Sequence, residues 1–405
     1  MKLLAISEHY FPRVGGTVNY LHETLCALAD LGVETELLVP GPMPEDWLPG
    51  GMRQPPYRVQ WVDACYPAKG DPTREQRYDF CRKADTLAFE KATGPGRPDV
   101  LHVMFGLFVM ELLDTARLQR AGLPCLATVH NVPPMECRLV PDTAPLAARL
   151  KEMLRLKAVA FKNHARLKKH AFDLYVVPSQ QVSRLLAAII DGRLDVIGHG
   201  LTSDLQARMK PPGTRRPQGP VRLLTVGGYA PHKRQNLIPE VAARLRDSGL
   251  TFEWDIVGPT GRLAGYFDGV VAEVARHGLA GAVHARAAVP VAELATLYDA
   301  AHLYVQPSIE EGFCITALDA AAVGLPVIAS PAGALAQIAE ASGGALVESD
   351  PKWLAKAIGD FVSADRWRDP AEVARAVRVR FSWEMAAQTL RARYQALVDE
   401  AATVA

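Results

Sequence analysis

The stretch SIEEGFCITALDAAAVGLPVIAS, Ser308 to Ser330, holds residues whose types and order can do chemistry. Two acids, Glu310 and Glu311, lead into Gly312. An alanine-rich helical segment follows with Asp319 inside it, and a glycine-proline stop leads to an apolar strand. The preceding run, HLYVQPS, reads as a strand, so Glu311-Gly312-Phe313-Cys314 lies where a strand ends and a helix begins. Unpaired backbone N–H groups at a helix start attract anions such as phosphate. Gly312 admits close backbone approach, and the amides from Gly312 to Ile315 are the candidate donors. A carboxylate at Glu311 repels phosphate but accepts hydrogen bonds from sugar hydroxyls. Asp319, one to two turns into the helix, suits a ribose diol. An ordinary strand–helix crossover, with Glu311 in solvent and Asp319 on a wet face, accounts for the same residues.

Elements must bring these groups together. Short apolar runs recur through the chain, among them Leu3–Ile6, Thr35–Val39, Asp99–Met104, Cys125–His130 and Leu174–Ser179, with helical stretches between them. Most are continuous rather than alternating, as strands covered on both faces require. After the Pro/Gly-rich segment KPPGTRRPQGP, Lys210 to Pro220, the alternation restarts at Arg222–Val226 and runs to Gly344–Ser349. The expectation is an α/β chain of two Rossmann-like, doubly wound parallel-sheet domains facing across a cleft. The expected division is residues 1–205, a linker at 206–220, and residues 221–382.

The 405 residues suit two domains. With 49% hydrophobic and 22% charged residues the composition is globular. A net charge of +1 gives no global pull toward nucleic acid. The six cysteines show no CxxC pair and no metal-ligand spacing; most sit among apolar neighbours and read as small buried hydrophobes, and a reducing compartment is expected. The opening MKLLAISEHYF does not read as a signal peptide. The longest apolar stretch, Val100 to Leu113, carries His102 and Glu111 and is too short to span a bilayer. A cytoplasmic protein is expected, at most peripheral at the inner face of the membrane. The basic segment 149–170, RLKEMLRLKAVAFKNHARLKKH, is the candidate for contact with anionic lipid. A solvated helix packed on its own domain reads equally well from the same residues.

The acidic stretch resembles the signature of retaining glycosyltransferases of family 4, which have the GT-B fold. Glu311 fills the first acidic position. Asp319 stands where the family usually has a second glutamate, and Cys314 where it usually has glycine. VGGYAPHKRQNL, from Val226, resembles the family's glycine turn and lysine-bearing helix start. Lys233 falls where the family's lysine contacts the donor diphosphate. Gly228 replaces the usual arginine, and Arg234 is a candidate substitute. A cation is the physical need there, because a departing nucleoside diphosphate gathers negative charge. YFPRVGG, with Gly15 and Gly16 opening a helix, resembles the first phosphate or acceptor loop. TVHN places His130 where related enzymes have a histidine facing the donor sugar. FSWEMAAQTLRARYQALV resembles the family's C-terminal helix, expected at about 383–400 and packing back on the first domain.

The resemblance implies a retaining glycosyltransferase of the hexosyl type that moves a sugar from a nucleotide sugar to an acceptor hydroxyl, in glycan, polysaccharide or glycolipid biosynthesis. The acceptor would be a glycan, a lipid-linked alcohol or a small molecule. No cofactor and no metal are expected. His130, Lys233 and Glu311 are the expected catalytic residues. Gly15, Gly16, Gly228, Arg234, Gly312, Phe313, Cys314, Ile315 and Asp319 are the expected donor-binding residues. The alternatives are another GT-B enzyme, such as a nucleotide-sugar epimerase or phosphorylase, and a catalytically silent nucleotide-sugar or glycan-binding protein.

Overall fold

A computed structural model describes the chain except residues 13, 14, 44, 50, 51, 68–70, 142, 143, 211, 212, 214, 215, 262 and 405. It divides into two compact units. Unit 1 comprises Met1–Pro133, Val159–Gly200 and Ser382–Ala405, and unit 2 comprises Pro134–Ala158 and Leu201–Phe381. Each carries one all-parallel sheet, as apolar strands joined by helical crossovers demand.

Unit 1 contains β1 (Lys2–Ser7), β2 (Glu34–Gly41), β3 (Arg58–Asp63), β4 (Val100–Phe105), β5 (Cys125–Thr128), β6 (Leu174–Val177) and β7 (Leu194–Val196). Their spatial order is β3-β2-β1-β4-β5-β6-β7. The order reverses between β1 and β4, and such a reversal opens a crevice beyond the strands' carboxyl ends. The helix Gly16–Asp30 buries Leu21, Leu25 and Leu28 in a core that also takes Ala387, Leu390 and Tyr394 of the C-terminal helix Trp383–Val404. Gly200 lies against that helix start. A Cβ there would come within 2.5 Å of the Trp383 nitrogen, so no other residue fits.

Unit 2 contains β8 (Val221–Val226), β9 (Phe252–Val257), β10 (Val283–Arg286), β11 (Leu303–Gln306), β12 (Val327–Ala329) and β13 (Ala345–Leu346), ordered β10-β9-β8-β11-β12-β13. Successive strand residues enter opposite cores. Leu223, Leu303 and Ile328 pack on one face, and Leu224, Tyr304 and Val327 on the other. That is why these strands show no polar alternation. The order reverses between β8 and β11, which pair Leu223 with Leu303.

The division falls at Gly200/Leu201, ahead of the Pro/Gly-rich segment. The helix Ser203–Arg208 sends Leu205, followed by Met209, into the second core. Proline and glycine mark irregular backbone, whereas the division follows the core that the neighbouring apolar residues join. Of the expected linker, residues 211, 212, 214 and 215 lie outside the described residues. Residues 134–158 cluster with unit 2, although they lie in the stretch read as the first domain. There the Glu136 amide donates to Glu310 Oε2 at 2.6 Å, and Arg138 pairs with the same carboxylate. Among the described residues no helix is long and apolar enough to cross a membrane.

Candidate active site

The site is built where β8 and β11 end side by side. After β8 the chain turns through Gly227 and Gly228. A Cβ on neighbouring Gly258 would meet the Gly227 oxygen at 2.0 Å, so the close approach of these two turns requires glycine. The buried Gln235 amide donates to the Gly227 and Gly228 carbonyls at 3.2 and 3.0 Å and fixes the turn. At Gly228 a Cβ would have only the Pro259 oxygen near, at 3.9 Å, so the fold does not demand glycine there. The 3-10 turn Pro231–Lys233 follows and presents Lys233.

After β11 the chain makes the Ser308–Cys314 loop. The Ile309 amide donates to the His232 carbonyl at 2.9 Å, fastening the two turns together. The Lys233 amine then reaches both oxygens of the Glu311 carboxylate at 2.7 Å. Glu311 is buried, and the lysine side chain keeps 16% of its exposure. Burial disfavours the charged amine, but the Glu311 carboxylate outweighs it, and the Lys233 pKa lies above the ordinary lysine range. Gln306 holds Glu311 from behind, with its amide 2.6 Å from Ser308 Oγ and 3.4 Å from Glu311 Oε1.

Sequence reasoning missed several supports. Gly333 has φ +56°, and a Cβ there would lie 2.7 Å from Glu311 Cβ. The Tyr304 hydroxyl lies 3.0 Å from the Val226 carbonyl, Gln306 Oε1 and Thr316 Oγ1, tying the end of β8 to the helix after Glu311. Tyrosine and threonine in apolar runs read as core, so only the glycine at 333 left a signal.

That helix, Ile315–Ala322, starts from Cys314, which has φ 85° and ψ 68°. This left-handed conformation explains why glycine is usual at the position. Burial raises the Cys314 thiol to about 12. Phe313 buries its ring in the core near Phe381, so only its backbone faces the loop's work. Gly312 and Ile315 are half-buried at the same turn. Arg234, also in a left-handed conformation, donates to the Ser349 carbonyl at 2.6 Å and is not part of the Lys233–Glu311 pair.

Asp319 is not brought to that pair. It is 1% exposed, and its two oxygens accept from the Thr202 amide at 2.9 Å and the Thr202 hydroxyl at 2.7 Å. Gln206 adds a contact at 3.3 Å. Burial raises its pKa to about 6 against these hydrogen bonds. A carboxylate in an alanine-lined interior needs such donors, and Thr202 supplies them.

In unit 1, Gly15 precedes the helix Gly16–Asp30 after β1, and His130 follows β5. A Cβ at Gly15 would meet nothing within 4 Å, so the fold leaves room for a side chain. His130 packs edge-on against Tyr20 at 4.6 Å, and its Nε2 lies 3.0 Å from the Met104 carbonyl. Desolvation lowers its pKa to about 4, so the ring is neutral near pH 7. A carbonyl partner requires the proton on Nε2 and leaves Nδ1 as an acceptor.

A cavity of about 790 Å³ in unit 2, bordered by Asn236, Tyr266 and Leu139, includes neither Lys233 nor Glu311. Among the described residues no three or more His, Cys, Asp or Glu side chains are grouped to hold a metal ion.

Comparison with known proteins matches this arrangement. A family described as "Glycosyltransferase Family 4" matches residues 14–205, and one described as "Glycosyl transferases group 1" matches residues 220–364. A D-inositol 3-phosphate glycosyltransferase of Streptosporangium roseum is 30% identical, covering 93% of this chain and 87% of that protein. One of Frankia alni is 29% identical over 96% of both. Among solved structures, sucrose-phosphate synthase from Thermosynechococcus elongatus has a TM-score of 0.73 at 23% identity, covering 98% of this chain and 99% of that one. Anabaena Alr3699/HepE in complex with UDP and glucose has a TM-score of 0.67 at 16% identity, covering 98% and 99%. Two parallel Rossmann-like sheets, an acidic loop answering a lysine turn, and a relative alike along nearly its whole length place this chain in the group 1, family 4 glycosyltransferases, which have the GT-B fold.

Proposed function

We propose that this glycosyltransferase moves a hexosyl group from a nucleotide sugar to an acceptor hydroxyl with retention of configuration and without a metal. The observation that carries the proposal is the bidentate contact of Lys233 with Glu311 at the strand reversal of unit 2. A lysine amine has three donors. Glu311 engages part of that capacity and keeps the amine charged, leaving the rest for the donor diphosphate.

In this reading the acceptor oxygen bonds to the anomeric carbon as the carbon–oxygen bond to the diphosphate breaks. The acceptor proton passes to a departing phosphate oxygen on the same face. Lys233 stabilises the charge gathering on the diphosphate. The amides of Gly312 to Ile315 assist at the helix start. Glu311 accepts from sugar hydroxyls, and neutral His130 accepts through Nδ1. Gly15 leaves room for backbone approach in unit 1, before the helix that Gly16 opens. Gly228 and Arg234 act through the turn that carries Lys233, and Asp319 positions the helix Ile315–Ala322 through Thr202.

Names of relatives suggest the first acceptor to test, a phosphorylated cyclitol, beside glycan and lipid-linked alcohols. The test incubates the protein with UDP-, GDP-, ADP- and dTDP-sugars and each acceptor, with and without EDTA, and assigns the product anomer by NMR. An α-configured product from an α-configured donor, formed in EDTA, is expected. An inverted product, or donor consumed equally without acceptor, overturns the reading. Nucleotide binding with no turnover assigns a silent binding protein instead.

A further inference from the structure

The helix Leu146–Leu167 departs from the usual amphipathic arrangement. It has 22 residues and is about 33 Å long at 1.5 Å per residue. Its outward face is apolar. Phe161 is 81% exposed and Leu154 64%, and Leu146, Leu150 and Met153 are also exposed. At 100° per residue these five side chains fall within an arc of about 100°. Exposed Lys157 lies inside that arc. Lys151 and Lys162 line one edge, and Arg149 lines the other.

The helix has a single acid, Glu152, and it is turned inward. It is 5% exposed and is held by the Leu139 amide at 2.6 Å and by Arg155. The outward face therefore carries apolar bulk and positive charge with no carboxylate. Such a stripe is costly to leave in water. A second copy seated on it would bring the lysines of both copies together. A surface that accepts apolar side chains and offers negative charge at their margins fits without that repulsion.

We propose that this helix lies in the interface of a bilayer bearing anionic phospholipid, with Leu150, Leu154 and Phe161 inserted and Lys151, Lys157 and Lys162 among the headgroups. The proposal does not depend on glycosyl transfer, and its test reads none.

The full chain is sedimented with vesicles of phosphatidylcholine alone and with vesicles also containing phosphatidylglycerol. Binding to the anionic vesicles only is expected. Raising salt from about 0.05 M to about 0.5 M should weaken it at least about tenfold. Lys151→Gln/Lys157→Gln/Lys162→Gln should weaken it on the order of 100-fold, since each lost charge is worth about fivefold. Leu154→Glu/Phe161→Glu should abolish it with an unchanged thermal melt, because both side chains are exposed. Leu154→Ser/Phe161→Ser serves if the acidic pair unfolds the protein. A chain that stays in the supernatant, binds both vesicles equally, or binds as before after loss of Leu154 and Phe161 overturns the proposal. A dimer in sedimentation velocity that these substitutions dissolve overturns it too, because a second copy then covers the face.

Discussion

The Lys233 amine sits 2.7 Å from each oxygen of the Glu311 carboxylate, across 78 positions of sequence. Adjacent Glu310 faces elsewhere, accepting from the Glu136 amide and pairing with Arg138. Neighbouring acids thus divide their work. One holds the 134–158 segment in unit 2, and the other holds the lysine proposed to meet the donor diphosphate.

Removing Lys233 has two consequences that must be separated. Lys233→Ala should lower turnover by on the order of 100-fold or more. It also leaves Glu311 buried beside no cation, which costs about 3–5 kcal/mol. The double variant Lys233→Met/Glu311→Gln removes both charges and should regain most of that stability. Its activity should stay lost. Urea unfolding and initial rates on the three proteins check this. Recovery of turnover in the double variant would remove the lysine from the chemistry.

Cys314 gives a test of backbone strain. An L-residue in the left-handed region costs about 1–2 kcal/mol. Cys314→Gly relieves that strain but forfeits the buried thiol's packing, so stability should stay within about 1 kcal/mol. Cys314→Val puts a β-branched side chain at φ 85° and should destabilise by about 2–3 kcal/mol. Differential scanning calorimetry of the two variants decides. Equal melting temperatures would show that the helix start adapts.

The sheets were legible because strands buried on both faces must be apolar throughout, as Leu223 and Leu224 are in opposite cores. The lysine turn and the acidic loop were legible because glycines and charges at strand ends have few structural uses. The contact of Asp319 with Thr202 is not legible in the sequence, because Thr202 stands 117 positions away and carries no signal of its own. The placement of 134–158 was equally hidden. Apolar residues in a loop do not say which of two sheets they join, and the deciding contact is a backbone amide on Glu310. Gln306 and Tyr304, which hold the site from behind, look in sequence like ordinary strand residues.

His130 yields a prediction about pH and activity. Its pKa of about 4 keeps the ring neutral from about pH 5.5 upward. The rate should therefore show no step near 6.5 that disappears on substitution. His130→Gln keeps a donor for Met104 and an acceptor beside it, and it should retain more activity than His130→Ala. Profiles of kcat/KM for the three proteins between pH 5.5 and 8 provide the check. An inflection in the parent enzyme that both variants lack would mean that the charged ring acts.

Asp319 should leave its mark on stability rather than on rate. Its pKa rises from 3.8 to about 6 on folding, so the folded chain holds the proton more tightly than the unfolded chain. The stabilising contribution is complete below about pH 3.8 and is lost as pH rises through about 6. A shift of about two units corresponds to roughly 3 kcal/mol. Asp319→Asn keeps the size and one acceptor for the Thr202 amide but cannot titrate. The unfolding free energy of the parent minus that of the variant should therefore fall by roughly 2–3 kcal/mol between pH 4 and 6.5 and then stay level. Taking the difference cancels the other carboxylates, which titrate alike in both proteins. A difference that is flat across this range, or that rises with pH, would mean that Thr202 stabilises the ionised carboxylate more than burial disfavours it.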